Sequence, residues 1–443
     1  MIKMKQITID VSHCLLEDNE IKKAQKKTEY EIKKLQRASE QGYELDEASI
    51  NLAVDKESLQ QVQTLIQKKN KLDPRMIIVI GIGGSNLGTI AICDAILGKK
   101  QNLINPKRKI LFADTVDSDL LFDIKQILKT VLKNNENIIV NVVSKSGSTT
   151  ETIANFEVVL DLLKTHNIDT SESVVVTTDY QSKLWNLAEK KQFDCLKIPQ
   201  KVGGRYSVFS PVGLFPLGMM DVDIKSLLAG AEQMRNQCLQ LDTEKNPAAT
   251  CAIATYLNYK KQHNIHDLFL FSDDLESVGK WYRQLVGESI GKQYDKDQNQ
   301  VFIGITPTYS IGSTDLHSVA QLYLGGPFDK FTTFVPVIQN KHTVELPDYI
   351  DFNYLVEGIQ NRSLQEIMQA IYQGVKKAFV KGKRPFMEIK LPDKSESTIG
   401  QFLQLNMMQI MLLGGLLNIN PFDQPNVEVY KQETRLILEK KGL

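Results

Sequence analysis

Apolar runs and amphipathic segments alternate along residues 76–198 of the chain. The apolar runs predict buried strands at Met76–Ile80, Ile110–Ala113, Ile138–Val143, Ser173–Thr178 and Phe193–Ile198. Between them, apolar residues at helical spacing predict helices at Thr89–Leu97, Ser118–Leu132, 153–163 and Ser182–Lys190. This alternation is typical of a doubly wound parallel sheet, whose ligands bind beyond the carboxyl ends of its strands.

The same alternation returns in the second half, after a connecting segment at Lys201–Asp221 that is rich in glycine and proline. It predicts strands at Leu268–Ser272, Val301–Ile305, Thr332–Ile338 and Phe386–Leu391. It also predicts helices at Ala248–Gln262, Leu275–Glu288, Leu316–Leu324, Leu364–Val380 and Ile399–Leu417. The fold class is therefore α/β, with two doubly wound parallel sheets and helical terminal extensions.

The two ends of the chain differ from this pattern. Residues 1–70 contain a short strand at Ile7–Val11 and charged helices at Glu20–Gln41 and Leu45–Lys69. A last amphipathic helix, Val427–Lys440, is expected to pack back over the body. The predicted divisions are a helical extension at 1–70, a first domain at 71–210, a second at 211–420 and a C-terminal helix at 421–443.

Composition narrows the possible partners. The 443 residues include 53 basic and 53 acidic side chains, so no charge surplus favours a nucleic acid or a membrane surface. The five cysteines are scattered and form no C-x-x-C pair, which is typical of reduced thiols in a cytoplasm. Secretion is not expected, because Met1–Asp10 lack an apolar core of signal-peptide length, and the apolar run Met407–Leu417 is too short to span a membrane. His263 and His266 lack further ligands at metal-binding spacing, so no metal site is expected.

A polar loop follows the predicted strand Ile138–Val143 and opens into a helix. Its hydroxyls and backbone N–H groups, from Ser144 onward, would converge at a helix N-terminus, where an anion such as phosphate is favoured. The spacing from Ser148 to Glu151 is also that of a capping box, so an ordinary helix cap is the alternative.

A glycine-rich turn, residues 81–88 (GIGGSNLG), follows the first strand of the predicted sheet. A dinucleotide site is one interpretation, supported by Asp114 after the next strand, but Asn86 stands where the third glycine of that fingerprint belongs. The turn can instead bring Gly84 and Ser85 at a helix N-terminus close to a sugar or a phosphate.

Three further residues are candidates for chemistry. Arg205 lies between two glycines and a tyrosine, where its charge could face a developing anion, although a salt bridge in a loop is the ordinary alternative. Glu288 lies between Gly287 and Gly291 at a helix end and is a candidate general base, whereas most such glutamates are simply solvated. His317 can exchange protons near neutral pH, or can simply be a half-buried histidine bonded to backbone.

Together these stretches resemble the glucose-6-phosphate isomerase family, in its shorter bacterial form. Six blocks recur in the family's order between residues 81 and 431: GIGGSNLG at 81–88, SKSGSTTET at 144–152, GGRYS at 203–207, GESIGK at 287–292, DLHS at 315–318, and FDQ at 422–424 leading to VEVYK at 427–431. The resemblance implies two flavodoxin-like sugar isomerase domains. It also implies reversible aldose–ketose isomerisation of glucose 6-phosphate and fructose 6-phosphate in glycolysis and gluconeogenesis, through a cis-enediolate and without a cofactor.

The resemblance also implies roles for residues of this chain. Glu288 would be the base, and Arg205 would face the intermediate. His317 and Lys431 would be the pair linked to ring opening. The substrate and its phosphate would be bound by Gly84, Ser85, Ser144, Lys145, Ser146, Thr149, Gln284 and Gln424. In family dimers the histidine reaches the site from the neighbouring subunit, so the resemblance implies a homodimer with shared active sites and a sugar-phosphate substrate.

One departure from the family pattern concerns the last block. Pro425 and Asn426 follow Gln424 where the family usually carries Trp-Gly, which bears on the placement of Gln424 and Lys431.

Two other functions remain to be weighed. A sugar-phosphate-sensing regulator would need a DNA-reading module, which residues 1–70 do not offer, and a nicotinamide dehydrogenase would need the missing glycine.

Overall fold

The computed structural model describes residues 5–105 and 107–440. Its strands are β1 (Thr8–Asp10), β2 (Pro74–Ile80), β3 (Lys109–Ala113), β4 (Asn137–Val143), β5 (Val174–Asp179), β6 (Asp194–Ile198), β7 (Ile265–Phe271), β8 (Lys292–Tyr294), β9 (Gln300–Ile303), β10 (Thr306–Ile311), β11 (Lys330–Pro336) and β12 (Phe386–Lys390). Both of the sheets in the body of the protein have five strands, and β8 and β9 form a separate antiparallel pair.

The helices lie on both faces of these sheets or form the two ends of the chain. They are α1 (Asp18–Glu40), α2 (Lys56–Asn70), α3 (Leu87–Leu97), α4 (Gln101–Ile104), α5 (Ser118–Lys133), α6 (Thr150–Thr165), α7 (Thr170–Ser173), α8 (Lys183–Lys191), α9 (Pro211–Met219), α10 (Ile224–Cys238), α11 (Pro247–Lys260), α12 (Glu276–Ile290), α13 (Ala320–Gly325), α14 (Leu364–Lys381), α15 (Glu396–Leu416) and α16 (Val427–Glu439). Within the described residues no helix is long and apolar enough to cross a membrane.

The two sheets share one strand order. The first runs β3-β2-β4-β5-β6, all parallel, so its strands lie in the order 2-1-3-4-5 along the chain. The second runs β10-β7-β11-β12-β1, and its four parallel strands repeat the order 2-1-3-4. The N-terminal strand β1 takes the fifth position, antiparallel to β12. The predicted α/β class with two doubly wound parallel sheets is confirmed, and this is the flavodoxin-like order.

One hydrophobic core connects the two sheets. It includes Ile77 and Val79 of β2 in the first sheet and Leu268 and Leu270 of β7 in the second. Helix α15 is buried along almost its whole length within this core. Because apolar residues surround such a helix on every side, its sequence shows no polar face.

The connecting segment at Lys201–Asp221 contains a helix that the sequence analysis did not predict. This helix is α9, and a second helix without a prediction, α10, follows at once. Helix α9 is buried on nearly all sides and contains Pro216, so its sequence lacks the amphipathic period that predicts a helix. Ser210 accepts a hydrogen bond from Val212 at its start, which was the available signal.

The strand predicted at Val301–Ile305 forms in part, as β9, but it does not belong to the second parallel sheet. Residues 300–303 pair with β8 outside the main sheets, and the sheet strand is β10, which contains Pro307. Strand β10 lies at an edge, where a proline and a row of polar residues are tolerated. The apolar pattern of the hairpin therefore concealed the neighbouring edge strand.

The expectation that the last helix packs back over the body is also wrong. No residue of α16 is buried, and its large apolar side chains are exposed: Val429, Tyr430, Leu436, Ile437 and Leu438. The amphipathic pattern correctly predicted a helix but not where its apolar face lies.

Helices α10 and α15 pack closely against each other at two glycines, one on each helix. A Cβ atom at Gly400 would overlap the carbonyl oxygen of Leu227, and one at Gly230 would overlap that of Ser397. These two positions therefore allow the helix backbones to touch.

We expect Gly400→Ala to lower the free energy of unfolding by roughly 1–3 kcal/mol, because the added methyl must push the two helices apart. Gly374→Ala is the matched control, since nothing lies within 4 Å of a Cβ at that helical glycine. Alanine there should be neutral or stabilise by up to ~1 kcal/mol through helix propensity. Thermal and urea unfolding of both variants measure the difference, and equal stability of the two would refute this packing.

Candidate functional site

The polar loop after β4 lies where the order of the first sheet reverses, between β2 and β4. Its two ends meet, because the hydroxyls of Ser144 and Thr149 are 2.9 Å apart. Strand β5 holds the loop through two hydrogen bonds. The buried hydroxyl of Thr178 donates to the carbonyl oxygen of Ser144 at 2.5 Å, and the N–H of Asp179 donates to the carbonyl oxygen of Lys145 at 3.1 Å. The loop carbonyls are therefore occupied by β5, which leaves the other side of the loop for a ligand.

No capping box forms at the start of α6. The N-cap residue is Thr149, and no side chain accepts a hydrogen bond from the first turn there. In the described part of the chain, the N–H groups of Lys145 and Ser146 also meet no acceptor. The loop thus presents several free donors at a positive helix end, which is the arrangement that binds an anion.

Lys145 adds a positive charge to this loop. Burial lowers the pKa of its ammonium, whereas the nearby carboxylate of Asp179 opposes that shift. Burial in turn raises the pKa of Asp179, and the charge of Lys145 opposes it. The two groups are therefore electrostatic partners beside the loop.

The glycine-rich turn connects this loop to Arg205. A Cβ atom at Gly81 would lie 3.0 Å from the carbonyl oxygen of Val143, immediately before the polar loop. A Cβ at Gly84 would overlap the backbone of Gly204 and Arg205. Ser85 ends the short 3-10 helix Gly83–Ser85 in the same turn. Glycine at position 84 is thus required by the close approach of two backbone segments.

Arg205 is buried, with its side chain 1% exposed. Its five N–H donors make five hydrogen bonds: to Ser289 Oγ (2.7 Å), Glu288 Oε2 (3.1 Å), Gln424 Oε1 (2.7 Å), and the carbonyl oxygens of Pro421 (2.6 Å) and Asp423 (3.2 Å). A guanidinium has five donors, so every one is used. Arg205 is therefore the centre of a preorganised cluster rather than a surface salt bridge.

Glu288 lies at the end of α12 with both carboxylate oxygens in contact. Oε2 accepts from Arg205, and Oε1 accepts from Gln284 Nε2 at 3.0 Å. Its side chain is 37% exposed, so the carboxylate is reachable from outside. Gln284 also lies next to the glycine-rich turn, because a Cβ at Gly83 would be 3.0 Å from Gln284 Nε2.

Lys292, to which the sequence assigned no role, joins the same cluster. Its ammonium contacts the carbonyl oxygens of Glu288 (2.8 Å) and Asp423 (2.5 Å) and the carboxylate of Asp423 (3.2 Å). Burial lowers its pKa, and the carboxylate of Asp423 opposes that shift. The residue stood inside the GESIGK block, so a buried lysine beside the candidate base was the available signal.

His317 and Lys431 lie outside this cluster. Gly287, beside Glu288, faces Pro307 at the start of β10, whereas exposed His317 follows the end of that strand. The six residues of β10 span about 20 Å, so Glu288 and His317 lie near opposite ends of this strand. Lys431 pairs with Glu428 on α16 at 2.7 Å. Among the described residues, no group of three His, Cys, Asp or Glu side chains is placed to hold a metal ion.

The chain is similar to known proteins over most of its length. The family model described as phosphoglucose isomerase matches residues 70–442. The chain is 32% identical to the glucose-6-phosphate isomerase of Carboxydothermus hydrogenoformans, over 83% of this chain and 80% of that protein. It is 35% identical to the probable glucose-6-phosphate isomerase of Methanococcus maripaludis, over 80% and 77%.

Two solved structures share the fold. The hypothetical protein TT0462 from Thermus thermophilus superposes with a TM-score of 0.86 at 28% identity, covering 98% of this chain and all of that one. A glucose-6-phosphate isomerase from Chlamydia trachomatis superposes with a TM-score of 0.82 at 19% identity, covering 98% and 88%.

We expect Gly84→Ala to separate the glycine-rich turn from Arg205 and to destabilise the protein by roughly 1–3 kcal/mol. Gly203→Ala is the matched control, because a Cβ there would first meet Tyr206 at 3.7 Å, an ordinary contact. Thermal unfolding gives the stability, and a crystal structure of Gly84→Ala shows whether Arg205 has moved. An unmoved Arg205 with normal stability would contradict the close approach.

Proposed function

The chain belongs to the phosphoglucose isomerase family and catalyses the reversible isomerisation of glucose 6-phosphate and fructose 6-phosphate, and we propose that Glu288 transfers the proton in this reaction. The observation that carries the proposal is the pairing of the half-exposed Glu288 carboxylate with buried Arg205, beside a loop of free donors. Neither a dehydrogenase nor a sugar-phosphate sensor is needed to explain this arrangement.

The substrate phosphate would bind the loop of Ser144, Lys145, Ser146 and Thr149, at the uncapped start of α6. The free N–H groups and the ammonium of Lys145 supply donors and positive charge there. Gly84 and Ser85 lie between this loop and Glu288, where the sugar would extend. Binding the phosphate at one end orients the carbon atoms at the other.

Glu288 would act as the general base. With the open-chain sugar in place, its carboxylate takes the proton from C2, which leaves a cis-enediolate. It then returns the proton to C1, while the hydroxyl proton moves from O2 to O1, which gives the ketose with a carbonyl at C2. Gln284 and Gln424 lie within the same cluster, where their amides can contact the sugar hydroxyls. No cofactor takes part in these steps, because the two carbons exchange oxidation levels within one molecule.

Arg205 would stabilise the enediolate through its fixed charge. Its five donors are already satisfied by the protein, so the guanidinium needs no rearrangement before the reaction. A single preorganised group of this kind contributes ~3 kcal/mol to lowering a barrier.

Ring opening would use His317 and Lys431, and His317 would come from a second copy of the chain. The long distance along β10 between His317 and Glu288 within one chain supports this arrangement. The segment 349–356 also exposes six large apolar side chains, each between 53% and 81% accessible: Tyr349, Ile350, Phe352, Tyr354, Leu355 and Val356. Apolar exposure on this scale is typical of an interface, so we propose a homodimer with shared active sites.

We also propose a cytoplasmic location. All five cysteines are unpaired, and four of them are buried, as expected of thiols kept reduced. With balanced charge as well, no nucleic acid or membrane partner is included in the proposal.

Glu288→Gln tests the base. We expect it to reduce turnover of fructose 6-phosphate by orders of magnitude, because the amide cannot accept the C2 proton, while binding of the sugar phosphate persists. A coupled glucose-6-phosphate dehydrogenase assay measures turnover. Glu276→Gln is the matched control at the other end of α12, where Glu276 pairs with Lys99 and Lys280, and it should stay active. Full activity of Glu288→Gln would refute the assignment.

A mixture of Glu288→Gln and His317→Ala tests the shared site. Each variant alone should be nearly inactive. After subunit exchange, hybrid dimers should contain one intact site, which restores about a quarter of the wild-type activity. Mixtures that stay inactive although hybrid dimers form would place His317 in its own chain's site.

A further inference from the structure

Gln424 depends on a turn that departs from the family pattern. The turn lies between α15 and α16, and in it Gln424 is exposed and carries Pro425 and Asn426 directly after it. Its amide oxygen still lies 2.7 Å from Arg205. Arg205 itself bonds to Pro421, Asp423 and Gln424 of this turn, and a further contact also holds the turn against the cluster.

The contact is made by Lys292 and its neighbour Gln293 on β8. Lys292 donates to the carbonyl oxygen of Asp423 and forms an ion pair with its carboxylate, on one side of Gln424. On the other side, the Asn426 side chain donates to Gln293 Oε1 at 2.9 Å. Two consecutive residues of β8 therefore hold the turn on both sides of Gln424.

Lys292 also reaches the helix that carries the base. Its third contact is the carbonyl oxygen of Glu288, four residues earlier at the end of α12. A positive charge is favoured at that end by the helix dipole. Lys292 thus holds the last turn of α12 and the Gln424 turn at one fixed separation, and Arg205 lies between them.

We propose that Lys292 is a positioning residue that sets Gln424 and Glu288 around Arg205, with Gln293 and Asn426 as its outer support in this chain. The ammonium of Lys292 is occupied by the protein itself, through two hydrogen bonds to backbone carbonyls and one ion pair with the carboxylate of Asp423. Its side chain is only 5% exposed, so it acts through its neighbours and not on the substrate. This inference rests on the proposed function, because it assigns the support of the same site.

Lys292→Met is the first variant, because methionine keeps the length of the side chain without its charge and donors. We expect kcat to fall about 10–100-fold, since a misplacement of about 1 Å at a reacting centre has effects of this size. KM should change by no more than about threefold, because the phosphate loop lies on other elements. Lys280→Met is the matched control, a half-exposed lysine on α12 paired with Glu276, and it should match wild type.

A double-mutant cycle with Gln424→Ala separates positioning from general destabilisation. If Lys292 acts partly through Gln424, the combined loss in kcat should be clearly smaller than the product of the two single losses. Independent, multiplying effects would overturn that link. Thermal unfolding of each variant shows whether the protein is folded.

Asn426→Ala keeps the test decisive if Lys292→Met does not fold. Asn426 is exposed and its change removes only the outer support, so kcat should fall about 3–10-fold with KM nearly unchanged. Wild-type kcat in both Asn426→Ala and folded Lys292→Met would overturn the inference while leaving the isomerase proposal intact. An inactive, folded wild type would instead remove the proposed function and this inference with it.

Discussion

The burial of Arg205 is the constraint on which the site depends. A guanidinium out of water must have every donor satisfied, and the acceptors available to it come from the end of α12 and from the turn before α16. These segments are more than a hundred residues apart in the chain. The need to satisfy one cation therefore brings together a carboxylate, an amide and two backbone carbonyls before any substrate arrives, which is the condition for electrostatic preorganisation.

The two sheets share their strand order but not their use. In the first, the reversal point between β2 and β4 carries glycines, hydroxyls and an uncapped helix, which favour an anion. At the corresponding place in the second sheet, after β7, Ser272 and Asp274 contact the ammonium of Lys394. A lysine side chain of the protein therefore occupies that position. The second sheet contributes instead through α12, whose end carries Glu288. A repeated architecture thus supplies the two ends of a single site.

In the proposed mechanism, phosphate binding and proton transfer belong to separate parts of the structure. The polar loop after β4 is bonded to β5 through Thr178 and Asp179, whereas the Glu288 cluster is held by Arg205 and Lys292. The glycine-rich turn joins the two groups, because Gly81 approaches the carbonyl oxygen of Val143 and Gly84 touches the backbone before Arg205. In that mechanism, changes to the Glu288 cluster can alter turnover while leaving phosphate binding nearly unchanged.

The sequence by itself determined the α/β class, most strands and helices, and the family blocks. Buried parallel strands appear in it as apolar runs, and amphipathic helices appear as apolar residues at helical spacing. It did not reveal α9, whose surroundings are apolar on all sides, or β10, an edge strand with a proline. Only the tertiary structure decided that Thr149 leaves α6 uncapped, that Lys292 belongs to the cluster around Arg205, and that α16 stays exposed. Those outcomes depend on contacts between residues far apart in sequence, which no local pattern encodes.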